Sequence, residues 1–140
     1  MASNAAPAAI DALPEWDLSD LYAAPDSPVL AADLARAAAD AKAFRASYEG
    51  RLAGLDGAGL AGAVVAYEGM QDLLGRIMSY AQLVHSRAMS DETVGRFYQT
   101  MQEQVTDITS ELIFFTLELN RIEDADLAAK LADPALARYA

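Results

Sequence analysis

The chain has no cysteine, one histidine and only ten lysines and arginines against 21 aspartates and glutamates, a formal net charge of −11 over 140 residues. Without cysteine there is neither a disulfide framework nor a thiolate zinc site, which suits a reducing compartment, so cytoplasm is the expected location. The shortage of cations works against phosphate backbones and anionic lipid, so neither nucleic acid nor a membrane surface is expected as a partner. No apolar run approaches the ~20 residues that a membrane-crossing helix needs. The first basic residue is Arg36, so the alanine-rich start has neither the charged region of a secretory signal nor the arginines of a transit peptide.

Patterns that carry chemistry are equally scarce. His85 has no second histidine one helical turn away, as a helical zinc site requires, and is read as a polar flank residue near a helix end. The paired Glu-x-x-His sequences of a di-iron bundle are absent. Ser79, Ser86 and Ser110 have neither a partner histidine nor the strand–turn–helix context of a nucleophile. Gly54, Gly57 and Gly59 lack the following Lys-Ser/Thr of a phosphate loop and are read as a turn. Glu103, Asp107 and Glu111 fall at successive fours, with Glu118 a heptad further on. That acidic stripe is read as a solvated face, with a basic partner or a peptide amine as the functional alternative. No catalytic residue, metal ligand or bound cofactor is assigned to the chain.

What the sequence does have is helical periodicity. A single domain of this length buries about 68% of the surface of its unfolded chain, enough for a real core. Residues 1–12 are read as a flexible leader and 13–140 as one helical lobe. Ser27-Pro28 starts a first helix, because serine caps free amides and proline at the first position loses no needed donor; Gly50 stops it after Tyr48. Leu30, Leu34, Ala37, Ala41, Phe44 and Tyr48 form its apolar stripe, and nine alanines allow neighbouring helices to approach closely. Asp56 caps a second helix that reaches Arg87 through Ala63, Tyr67, Met70, Leu74, Ile77, Ala81, Val84 and Ala88. Gly62, Gly69 and Gly75 each weaken this helix by roughly 1 kcal/mol relative to alanine, which points to close packing against them.

Ser90 is the expected cap of a third helix, in which Val94, Tyr98, Met101, Val105, Ile108, Leu112, Phe115, Leu119 and Ile122 alternate steps of four and three without an error. The pattern predicts one continuous helix of about 30 residues and ~45 Å. Short connections make the three long helices antiparallel neighbours. A short helix from Asp124 or Asp126 to Leu131 and a last one begun by Asp133-Pro134, read as incomplete, finish an all-α architecture.

The third helix carries more apolar surface than its neighbours can cover. Leu112, Ile113, Phe114, Phe115, Leu117 and Leu119 take up most of its circumference, and Leu73, Leu74, Ile77 and Met78 widen the second helix in the same way. Each such side chain left exposed forfeits roughly 1.5–3 kcal/mol. Ile113, Phe114, Phe115 and Leu117 are therefore the expected packing interface, either with a further part of a longer polypeptide or with a second copy.

Three stretches resemble one peptidase family. Trp16-Asp17-Leu18-Ser19-Asp20-Leu21-Tyr22, read from its pattern as an anchoring segment with a helical turn, resembles the Trp-Asp-Leu-Ser/Thr-Asp-Leu-Tyr opening of the oligoendopeptidase F branch of thimet-type zinc oligopeptidases. The run from Phe114 to Ile122 and the ending from Asp133 to Ala140 look like the same family at the same relative places. The resemblance implies the N-terminal helical region of a zinc metallopeptidase that hydrolyses short peptides, packed against a catalytic body and helping to enclose its channel. It implies zinc for the complete enzyme, held by two histidines and a downstream glutamate, with the glutamate of His-Glu-x-x-His activating water. None of those residues is present here, so the chain alone is expected to be inactive. The other function class is an independent helical interaction module that self-associates.

Overall fold

A computed structural model describes residues 16–140 and is helical throughout its regular elements. The leader and the expected onset of order at Leu13 lie outside the described residues. Helix α1 spans Pro28–Tyr48, α2 Gly57–Arg87, α3 Glu92–Ser110, α4 Ile113–Arg121 and α5 Asp124–Leu131, with 3-10 turns at Leu52–Gly54 and Pro134–Tyr139. No helix is long and apolar enough to cross a membrane among the described residues.

The first two long helices begin and end where local chemistry dictates. The Ser27 hydroxyl accepts a hydrogen bond from the Val29 amide at 3.2 Å, and Pro28 occupies the first turn. Gly50 follows the end of α1 at φ +77°, a left-handed conformation that costs glycine nothing and other residues about 1 kcal/mol or more. Asp56 accepts from the Gly59 amide at 2.7 Å and opens the 31-residue α2. At α3 the cap is Asp91 rather than Ser90: its carboxylate accepts from the amides of Thr93 at 2.8 Å and Val94 at 3.4 Å. Next to Ser90 it offers the same acceptor with a full negative charge at the positive helix end.

The expected 30-residue third helix is two helices. α3 stops at Ser110, α4 restarts at Ile113, and Leu112 between them sits at φ −101°, ψ −8°. Here the amides of Glu111, Leu112 and Phe115 donate three residues back, to Ile108, Thr109 and Leu112, the tighter 3-10 pattern that turns a helix axis. Ser110 Oγ also donates to the Asp107 carbonyl at 2.6 Å, competing with the ladder at that point. Beyond the bend, the Glu118 carboxylate accepts from the amides of Gly50 at 2.8 Å and Leu52 at 3.5 Å, tying α4 to the turn after α1. Periodicity passes through the bend because Leu112, Phe115 and Ile122 all remain buried on one continuous face.

α1, α2 and α3 each pack on the other two, with α2 making the broadest contacts. One buried cluster joins Ala37, Ala41 and Phe44 of α1 to Leu60, Ala63, Met70 and Leu74 of α2, Ile108 of α3 and Phe115 of α4. The other joins Tyr22, Leu30, Ile77, Tyr80, Ala81, Val84 and Met101 near the opposite end. The final 3-10 turn folds back onto α2, burying Leu136 and donating from Tyr139 Oη to Glu68 at 2.7 Å.

Close packing does not explain Gly62, Gly69 and Gly75, since a methyl group added at any of them would meet open space. The glycine that closeness does require is Gly57, where an added Cβ would lie 2.7 Å from the Lys130 carbonyl oxygen. Lys130 then locks this corner by donating from Nζ to the carbonyls of Ala53 at 3.1 Å and Leu55 at 2.5 Å.

Candidate functional site

The segment that resembles the peptidase opening is a strap across the ends of α1 and α2. Tyr22 is its buried residue, 3% exposed, with its ring edge-on to Tyr80 at 5.2 Å and its hydroxyl donating to Asp33 at 2.7 Å. Burial, followed by that hydrogen bond, pushes the Tyr22 hydroxyl up to about 12. The Arg76 guanidinium lies 4.9 Å from the centre of the Tyr22 ring and donates to the Leu21 carbonyl at 2.7 Å. Arg87 donates to the Trp16 carbonyl at 3.1 Å. Leu18 and Leu21 are half-buried against the same cluster. Asp17 accepts from the Ser19 amide at 2.9 Å, and its hydrogen bonds to Ser19 hold its carboxyl below the usual range. Asp20 is exposed, and so is Trp16, at 64%. The aromatic that anchors the segment is thus Tyr22, whereas the larger Trp16 ring projects outward.

The four residues expected to form an interface are divided. Phe115 is interior, 3% exposed, stacked on Tyr67 at 4.4 Å and tilted against Phe44 at 5.5 Å. Phe114 is half-buried against Phe44 at 5.7 Å. Ile113 and Leu117, one turn apart on α4, project outward at 55% and 51% exposure. Phe115 continues the buried stripe of α3 across the break, and both phenylalanines meet Phe44 of α1.

The acidic stripe is also split by use. Glu111 accepts from Arg45 at 3.0 Å across the α1–α3 gap, and Glu118 serves the turn after α1. Arg45 also meets Glu49 at 2.7 Å, and these two carboxylates raise its pKa further above its ordinary value. Glu103 accepts only from the Gln99 side chain among side-chain groups, at 3.1 Å, and neither it nor Asp107 is in an ion pair among the described residues.

Asp107 borders two concavities, and Glu103 borders one of them. α1 and α3 run parallel and in contact, and a groove of about 570 Å³ lies along their seam. Its floor and walls are Leu30, Leu34, Met101 and Ile108 with the small residues Ala31, Ala35 and Ala38. Asp26 stands at its opening and Gln104 and Asp107 along its α3 edge. Beyond Ala38 and Ile108 the Arg45–Glu111 pair closes the gap. A second hollow of about 520 Å³, lined by Met78, Val105, Gln102, Thr106, Glu103 and Asp107, lies on the other flank of α3. Every charged residue lining either concavity is acidic.

No group of three or more His, Asp or Glu side chains is gathered to hold a metal among the described residues. His85 lies flat against Tyr98, with ring centres 4.7 Å apart and planes 9° apart, and its Nδ1 has no hydrogen-bond partner. One imidazole packed on a phenol is not a zinc donor set. The groove escaped the sequence reading because alanine pattern alone does not show which alanines meet a neighbour. The available signal was that α1 carries alanines on more faces than α2 alone can cover. Comparison with protein-family models, characterised proteins and solved structures finds no match to this chain.

Proposed function

We propose that this chain is the N-terminal helical lobe of an oligoendopeptidase F-like zinc metallopeptidase, acting in the cytoplasm. It packs against a catalytic body and helps to enclose the channel that admits short peptides. The observation that supports the reading is the open groove along α1 and α3, where the exposed Ala31 and Ala35 lie above the buried Leu30, Met101 and Ile108. The sequence likeness of residues 16–22, 114–122 and 133–140 indicates what kind of body supplies the cover. In this reading the lobe contributes shape and packing, and the catalytic body contributes the metal and the groups that activate water.

The test is reconstitution. The purified chain is assayed on a short fluorogenic peptide with zinc, alone and mixed with the catalytic body of an oligoendopeptidase F-type enzyme lacking its own N-terminal region. No cleavage by the chain alone, and binding to the body with gain of short-peptide cleavage, is the expected result. Chelator-sensitive cleavage by the chain alone, or failure to bind the body, overturns the proposal.

A second reading, a self-associating helical interaction module, is favoured by the outward Ile113 and Leu117. Light scattering over a concentration series separates the two, since this module gains mass with concentration and Leu117→Asp abolishes the gain.

A further inference from the structure

We draw no further inference here: the strongest candidate, the exposed face of α2 around Gly62, Val65, Ala66 and Gly69, is a stripe of small residues, and nothing in the structure shows what covers it.

Discussion

The two ends of the bundle bury their apolar residues by different means. At the Phe115 end, the rings of Phe44, Tyr48, Tyr67, Phe114 and Phe115 fill space against one another, with centre-to-centre distances from 4.4 to 6.3 Å. At the Tyr22 end, a short strap inserts one tyrosine and is held by polar ties: Tyr22 to Asp33, Arg76 to the Leu21 carbonyl and Arg87 to the Trp16 carbonyl. The first end depends mainly on volume, whereas the second depends on a proton and on exposed guanidinium groups. Stability at the two ends should therefore respond to different perturbations.

The largest effect is expected from Phe115→Ala. Removing a ring that is 3% exposed leaves a cavity beside the rings of Phe44 and Tyr67 and should cost about 3–5 kcal/mol in urea unfolding. A loss below about 1 kcal/mol would mean that the aromatic end collapses freely and is not held by volume. Gly57→Ala comes next, at about 1–3 kcal/mol, because its methyl group must displace the Lys130 carbonyl or the Asp133 side chain. If it instead stabilises, as alanine does in an open helix, the α2–α5 contact is looser than its geometry.

Tyr22→Phe keeps the ring and deletes the hydroxyl, and should cost about 1–2 kcal/mol at neutral pH by leaving Asp33 without that donor. Its sharper test is alkaline. The folded-state pKa of about 12 lies above the ordinary tyrosine value of 10.0, so the unfolded chain loses this proton first. The stabilisation is complete below pH 10 and disappears as pH rises through 12. Wild type should lose stability across that window more steeply than Tyr22→Phe, with delayed tyrosinate absorbance as the direct readout; parallel slopes would remove the proton from the account. The smallest effect belongs to Arg45→Met, which breaks exposed pairs with Glu49 and Glu111. It should be measurable only at low salt, and a large loss in high salt would show that Arg45 holds α1 to the bend by packing.

The same contrast explains what the sequence made legible. The limits of α1 and α2 follow from residues that act locally: Ser27 and Pro28, Gly50, Asp56. Asp91 displaced Ser90 as cap because two adjacent acceptors were available and local chemistry separates them only weakly. The bend at residues 111–112 was invisible to periodicity, since a turn of the axis that keeps Leu112 and Phe115 inward leaves the pattern unchanged. Beyond it α4 meets partners that are distant along the chain, the Gly50 and Leu52 amides and the rings of Phe44 and Tyr67. Phe115 in turn left the predicted interface because those rings cover it. The groove depends on how α1 and α3 meet beside α2, a three-body property that no single helix pattern encodes.

The strap has one more consequence, for tolerance to mutation. Arg76 and Arg87 grip main-chain oxygens, which every amino acid presents alike, so most of the segment is held by its path and not by its spelling. Within Trp16–Tyr22, the tyrosine is the position whose side chain is enclosed, while Trp16, Ser19 and Asp20 face outward. A saturation library over these residues, sorted for folded protein, should therefore accept nearly any residue at 16, 19 and 20 and be narrow at 22. The same library sorted for binding to a partner would register Trp16 for the first time, as a residue the fold holds out and does not itself use.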